Sequence, residues 1–273
     1  MATPSSQTLF ITGASSGIGR ETVKYFSQQG WQVAATMRKP ENETELDKLP
    51  GVKLFRLDVQ DEASIESAVP EAIQAFGRID VLVNNAGYGL WGPFETASPE
   101  QIKKQFDTNV FGLMNVTRAM LPHFRANRGG KIINISSMGG IITLPLYSLY
   151  HSTKFAVEGF SESLHYELEP LGIEVKLIEP GGIKTDFAGR SADFSANTAI
   201  QAYDSYVAKV RAAADDAYNK ASEPRVIAET ILKAATNAGK MRWAKGYMAK
   251  PLIWVKRHLP NNVYFAQVKK QLK

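Results

Sequence analysis

Six short stretches of this chain read as strands, several of them apolar at nearly every position, and nothing else in it restricts the fold as tightly. They lie at 8–12, 31–37, 52–58, 79–84, 130–136 and 173–179, with LFI, DVLV and KII the densest runs. A strand with one wet face alternates apolar and polar residues. A strand that is apolar throughout is covered on both faces. Stretches of helical periodicity separate the runs, at 20–29, 64–76, 99–124, 150–169 and 224–237. The first two are followed by Gly30 and Gly77, and a glycine at positive φ is a common helix stop. Strand and helix alternating in this way predict an α/β fold: a doubly wound parallel sheet with helices on both faces.

A glycine-rich octet, TGASSGIG at 12–19, sits directly between the first strand and the first helix. Glycine lets backbone approach a pyrophosphate, and a helix N-terminus offers it free N–H groups and partial positive charge. Glycine clusters also make ordinary turns. The position of this one marks the sheet as Rossmann-type, with Gly13, Ser15, Ser16, Gly17, Ile18 and Gly19 as candidate dinucleotide contacts. In an NAD site an acid about 20 residues further on holds the adenosine ribose. Here the second strand ends ATMRK at 35–39, with no acid from 31 to 40. A carboxylate would repel a 2′-phosphate, whereas a guanidinium pairs with it. NADP(H) is the cofactor expected, with Arg38 and Ser15 as the phosphate grip; the plainer reading of Arg38 is a solvated strand end. Asp in place of Met37 should supply the missing acid and turn the preference towards NADH.

Tyr150 and Lys154 stand four apart in YHSTK at the head of a helical stretch, which places them on one helix face. A tyrosine titrates near 10, and a neighbouring ammonium favours the phenolate. Lowering its pKa by three units takes roughly 4 kcal/mol of such preference. Tyr147 lies about two turns from Lys154, so Tyr150 is the better acid/base on geometry. On this pair alone, surface packing is the commoner explanation.

Four signals now coincide in order: TGASSGIG, NNAG at 84–87, a serine 13 residues before the tyrosine, and YxxxK. Together they resemble the short-chain dehydrogenase/reductase family over roughly residues 8–187, closest in style to its steroid- and retinol-dehydrogenase-like branches. The resemblance implies that Tyr150 exchanges a proton with the reacting oxygen. It implies that Lys154 lowers the tyrosine pKa and holds the nicotinamide ribose, and that Ser137 hydrogen-bonds the reacting oxygen. Asn109 would hold a water joining Lys154 to a proton relay; by its residue type alone it is a mildly unfavourable helix residue. Asp58 and Val59 would meet the adenine, and Asn85, Ala86 and Gly87 would flank the adenosine ribose. Pro180, Gly181, Ile183 and Thr185 resemble the loop that meets the carboxamide and pyrophosphate. His151 departs from the pattern, where a small residue is usual; a packing or pocket-rim role is expected for it. The C-terminus departs too. Where many tetrameric members end in a short strand and a glycine-rich finish, this chain runs on through RWAKG, which puts the usual tetramer interface in doubt.

The reaction implied is NADP(H)-dependent interconversion of a ketone or aldehyde and an alcohol. The alternatives are a catalytically silent dinucleotide-binding regulator or scaffold, and an epimerase or dehydratase on an extended fold. Retention of Asn109, Ser137, Tyr150 and Lys154 together speaks against the former, and chain length against the latter. Tyr88, Leu90, Trp91, Phe94, Leu144, Tyr147 and Phe187 are candidates for an apolar pocket, hence a small hydrophobic carbonyl or alcohol substrate.

With 273 residues and 44% hydrophobic content, one domain spanning 1–273 is expected. It divides into a cofactor-binding and catalytic core at 7–186, a substrate-side excursion at 187–221 and a basic C-terminal helical extension at 240–273. No cysteine is present, which removes disulfides, thiolate metal sites and a cysteine nucleophile; no metal is expected. A cytoplasmic protein is expected, for the N-terminus lacks a signal-peptide pattern and no run of about 18 apolar residues occurs. Net charge is +5, yet 240–273 holds nine lysines and arginines and no acid. The rest is therefore about −4, and nucleic-acid binding is not expected. A homodimer or homotetramer is expected. The tail should pack on its own domain or a partner with Trp254 inside; weak peripheral attachment to an anionic membrane is the alternative.

Overall fold

The computed structural model describes residues 7–185, 192–195 and 200–270. Its main sheet has seven parallel strands, β1 (Thr8–Ile11), β2 (Gln32–Met37), β3 (Val52–Arg56), β4 (Val81–Asn84), β6 (Gly130–Ile135), β7 (Ile173–Pro180) and β9 (Arg242–Lys245). They run in the order β3-β2-β1-β4-β6-β7-β9. Two further strands, β5 (Gly89–Trp91) and β8 (Ala192–Phe194), pair with each other alone. All six stretches are strands of the main sheet, and their composition has the expected cause. Leu9 and Ile11 enter the core on one face while Phe10 enters the other; Val81 and Val83 oppose Leu82 likewise. Helices α1 (Gly17–Gln28) and α7 (Arg225–Thr236) cover the first face. Helices α2 (Glu62–Phe76), α4 (Gly112–Ala126) and α5 (Ser148–Leu168) cover the second. Each aliphatic side chain so buried is worth about 1.5–3 kcal/mol. Gly30 and Gly77 close their helices at φ 78° and 76°. A Cβ at either would meet nothing, so the conformation, not space, calls for glycine there.

Four elements differ from the sequence reading. The helical stretch 99–124 is α3 (Pro99–Phe106) and α4 joined by a wider turn, Asp107–Phe111, where Gly112 N–H bonds the Asp107 carbonyl five residues back. The excursion, expected to hold no strand, contains β8 as well as α6 (Asp204–Asn219). RWAK is a strand after all: β9 pairs in parallel with β7 from Leu177↔Arg242 to Pro180↔Lys245. The departure from the family pattern lies beyond it, in α8 (Ala249–His258) and α9 (Asn261–Lys270). These two helices pack through a small cluster of Ile142, Ile253 and Tyr264, and the Tyr264 hydroxyl donates to the Thr143 carbonyl at 2.6 Å. Trp254, expected inside, is 58% exposed.

Arg242 fastens β9 to the domain. Its guanidinium lies 2.7 Å from Glu158 and 2.7 Å from Glu162 on α5, and 3.1 Å from Glu179 on β7. Glu158 and Glu179 are buried, and Arg242 is the cation that pairs directly with both. Arg242→Ala should therefore cost about 3 kcal/mol of stability, because it strands buried carboxylates. Urea unfolding measures this; an unchanged midpoint would show that the clamp contributes nothing.

Candidate active site

In a parallel sheet every strand ends at the same edge, and β1 and β4 part there because the strand order reverses between them. The glycine loop leaves β1 into this crevice. Thr12 Oγ1 accepts the N–H groups of Asn85 and Ala86 at 3.0 Å each, and Asn85 Nδ2 donates to the carbonyls of Thr12 at 2.9 Å and Gly13 at 3.1 Å. A Cβ at Gly13 would lie 2.9 Å from Ala86 Cα, and one at Gly19 would lie inside contact of the Gly13 carbonyl. These glycines are needed for close approach. The Asn85 amide is engaged in bracing the loop. Ala14 N–H bonds the Thr36 carbonyl at 2.9 Å, which draws Ser15 alongside the end of β2. Ser15 and Arg38 are both exposed there, whereas Met37 is 3% exposed and turned into the core. Asp at position 37 would thus be buried, and position 38 is where a side chain can meet a ribose.

The first turn of α1 carries no acid, and its N-cap Ser16 makes no side-chain capping bond. Its N–H groups are therefore free for an anion, so this loop fits a pyrophosphate. Thr185 closes the front: a Cβ at Gly17 would touch its side chain at 3.4 Å. The loop behind it is pinned to the tail, with Gly181 N–H on the Lys245 carbonyl at 2.9 Å and Gly182 N–H on the Tyr247 carbonyl at 3.0 Å. Pro180 ends β7, and Ile183 packs on the core below. Asp58 accepts the Gln60 N–H at 3.1 Å in its own turn, and buried Val59 sits under the start of α4, 2.7 Å from where a Cβ at Gly112 would lie.

Tyr150, Ser137 and Lys154 meet beside this crevice. The Tyr150 hydroxyl is hydrogen-bonded to Ser137. Ser137 Oγ also accepts the Gly139 N–H at 3.0 Å, which fixes its rotamer. Lys154 Nζ donates to the Ile135 carbonyl at 2.9 Å and lies 5.8 Å from the Tyr150 ring centre. Burial pushes Lys154 down to about 8, against the pull of Glu158 one turn further on. Burial pushes Tyr150 up to about 12, against the bond from Ser137. Asn109 sits in the widened turn before α4 and is fully buried. Its amide donates to the Tyr88 carbonyl at 2.9 Å and to Thr153 at 3.2 Å, and it accepts the Tyr88 N–H at 3.0 Å. Its side chain thereby ties the wide turn to α5 one residue from Lys154.

The model for short chain dehydrogenases matches residues 7–195. This chain belongs to the short-chain dehydrogenase family. Over 242 residues it is 39% identical to an uncharacterised oxidoreductase of Schizosaccharomyces pombe, across 86% of this chain and 99% of that protein. Over 181 residues it is 44% identical to the 3-ketodihydrosphingosine reductase of Bacteroides thetaiotaomicron, across 66% of this chain and 65% of that protein. The solved structure of ElxO with NADP bound matches it with a TM-score of 0.71 and 27% identity, across 88% of this chain and 96% of that one. The chain is an oxidoreductase of a family whose solved structures include ones with NADP bound.

Beyond Tyr150 this short-chain dehydrogenase carries an aromatic wall. Trp91 on β5 stacks near Tyr147, with ring centres 6.3 Å apart, and contacts Phe194 on β8 at 4.4 Å. Arg211 of α6 covers both Trp91 and Phe194, at 5.1 and 5.4 Å from the ring centres. Phe194 and Arg211 were legible only as residues of the excursion. Of the other pocket candidates, Leu90 is core, Phe94 is 63% exposed, and Phe187 lies outside the described residues. Leu144 lines a separate hollow of about 470 Å³ with Leu146, His151 and Phe155. Glu158 and Arg242, behind Lys154, were also missed. The four-residue step from Lys154 to Glu158 was a usable signal for one of them.

His151 packs as expected, with both ring nitrogens engaged. Nδ1 faces the Gly139 carbonyl at 2.8 Å and Nε2 accepts the Leu144 N–H at 2.8 Å, a pattern that only the neutral ring satisfies. Burial holds it below the ordinary histidine value, against the Gly139 bond. The unfolded chain then takes up this proton first as pH falls. His151 contributes its full stability above about pH 6.5 and loses it progressively below. Imidazole NMR against pH should show His151 neutral at a pH where free histidine is half charged. A titration at or above the free value would overturn the assignment.

Proposed function

We propose that this enzyme reduces an apolar ketone or aldehyde with NADPH, with Tyr150 as the proton donor. The observation that carries the reading is the Ser137–Tyr150–Lys154 contact. With the protein's own groups around it, burial pushes Tyr150 up to about 12, so the phenol carries the proton that reduction would use. When bound, the dinucleotide supplies the hydride. Ser137 orients the carbonyl oxygen, and the Tyr150 hydroxyl gives that oxygen its proton. The Lys154 ammonium, held on the Ile135 carbonyl, then steadies the phenolate left behind. Lys154 has two N–H groups beyond that bond to offer ribose hydroxyls. The oxidised direction runs the same proton backwards. Support for an apolar substrate comes from Trp91, Tyr147 and Phe194, and from the 3-ketodihydrosphingosine reductase, whose substrate name denotes a long-chain ketone. Support for NADPH comes from exposed Arg38 beside Ser15, with no acid at the end of β2, and from the NADP in ElxO.

Tyr150→Phe keeps the ring and removes the proton. Turnover on a ketone panel should fall about 100- to 10,000-fold while NADPH binding persists, as expected for the loss of general acid catalysis. Near-normal turnover would move the role to another group and sink the assignment.

Arg38→Asp removes the proposed phosphate partner and adds a repelling charge at an exposed position. Catalytic efficiency with NADPH should drop by about tenfold or more, the scale of one charge-assisted pair, with NADH affected far less. Equal efficiency of the unaltered enzyme with both cofactors would show that Arg38 does not select.

A further inference from the structure

Residues 240–273 contain no acid, so their cations must find partners elsewhere. Arg242 has three glutamates, Lys240 stacks on Trp243 at 4.5 Å, and Lys256 bonds Asn261 at 2.7 Å beneath Tyr264 and Phe265. Lys250 and Arg257 are both exposed, and Arg257 also bears on the charge of Glu179. On α8 they share one exposed face with Trp254 and His258, at helical steps of four, three and one. Ala249 and Ile253, on the side turned to the domain, are buried, and Arg257, four residues after Ile253, emerges at the edge of that side. Trp254 is 58% exposed and stacks on the His258 ring at 4.8 Å. Leu259, Val263 and Phe265 follow at 36%, 38% and 46% exposure. Eleven large apolar side chains are strongly exposed among the described residues, and four of them fall between 254 and 265. Exposed apolar surface is thus concentrated where the charge is wholly positive.

From this coincidence we infer that α8 and α9 are a docking surface for an anionic lipid bilayer. A tryptophan bracketed by basic residues suits the headgroup boundary, with the ring at the acyl edge and the cations on lipid phosphates and carboxylates. Each such cation adds about 1 kcal/mol at an anionic surface. A second copy of the chain offers a weaker counterpart: the charge outside the tail is only about −4, spread over the remaining residues. Attachment would be peripheral, since no described helix is long and apolar enough to cross a membrane. The bond from Tyr264 to the Thr143 carbonyl sets the tail against the loop that leads into the Tyr150 helix, so docking would hold that side of the enzyme towards the bilayer. The inference stands on the tail alone and does not depend on the reductase reading.

The test uses the full chain with vesicles of phosphatidylcholine alone and of phosphatidylcholine with phosphatidylserine, at low and high salt. Sedimentation with the anionic vesicles at low salt, release at high salt and no sedimentation with the neutral ones is the result expected. K250A/R257A should bind about thirty-fold more weakly, two cations' worth. Trp254→Ala should also weaken binding, and both variants should keep the unfolding midpoint and the turnover of the unaltered protein on a water-soluble ketone. Absence of binding at low salt, or equal binding by K250A/R257A, overturns the inference. So does a self-association that Trp254→Ala abolishes in the absence of vesicle binding, for the face would then join two copies of the chain.

Discussion

Asn85 reaches back from the loop after β4 and gives both hydrogens of its amide to carbonyls of the glycine loop. Thr12 answers by accepting two backbone N–H groups from the Asn85 side. This reciprocal set holds open the crevice between two strands whose following helices go to opposite faces of the sheet. It also explains why side chains are excluded at Gly13 and Gly19: the two loops must touch for the bonds to form. One layer beneath, Asn84 bonds Thr117 of α4 and Asn134 of β6, and Asn134 bonds Ser161 of α5, all at 2.8–2.9 Å. The polar spine locks α5, and with it Tyr150 and Lys154, to the strands that carry the cofactor loop. Buried polar networks of this kind hold geometry at the expense of tolerance, since a broken member leaves a donor or acceptor unpaired, and here Asn84 Oδ1 is already buried without a partner.

The electrostatics of the site follow from where α5 lies. Tyr150, Lys154, Glu158 and Glu162 are successive four-residue steps along it, so one face runs from the phenol to the Arg242 clamp. Burial favours the neutral forms of Tyr150, Lys154 and Glu158; Ser137 opposes it at Tyr150, Glu158 opposes it at Lys154, and Ser136 and Arg242 oppose it at Glu158. Glu179, driven up to about 7 by burial and then by Glu158, shows how strongly the interior resists charge here. Lys154 keeps an ammonium in such surroundings because a carbonyl accepts its proton and a carboxylate lies one turn away. With only these groups present the phenol remains the proton holder, so the protein by itself prepares an acid. A base would require further positive charge beside the ring.

The sequence showed the sheet because burial on both faces erases alternation, a mark that β1, β2 and β4 carry. β9 does not. RWAK lies at the sheet edge and spends its arginine on an ion-pair clamp, so half its residues are basic. β5 and β8 are three residues each, too short for any period to register. The wide turn at 107–111 was invisible for another reason: its residues have ordinary helical composition, and the cause is tertiary, the pull of Asn109 onto the Tyr88 backbone and Thr153. The site motifs were legible in order and spacing. The direction of individual side chains was not, as Met37 and Trp254 show. Met37 reads as a strand end and points inward, and Trp254 reads as core and points outward. A strand-end parity and a helix rotation of one residue decide these cases, and both are set by packing partners far away in the chain.

The substrate end combines the weakest sequence signals with the most specific chemistry. Trp91 and Phe194 come from two short strands that pair only with each other, so their separation is set by three backbone register pairs, Gly89↔Ala192 to Trp91↔Phe194. Ser195 closes this small sheet, its N–H on the Trp91 carbonyl at 2.9 Å and its hydroxyl on the Pro93 carbonyl at 3.1 Å, while Gly92 N–H bonds the Leu146 carbonyl at 2.7 Å and so joins the sheet to the loop before α5. A Cβ at Gly92 would collide with Ser195, so the glycine lets the two strands close. Arg211 then lies across both rings from a helix otherwise exposed along most of its length. An aromatic pair under a guanidinium is an apolar surface with a charged lid. Because the wall rests on few contacts while the catalytic groups rest on the polar spine, the two can vary separately. The aromatic wall and the groups around Tyr150 are thus held by different supports within one fold.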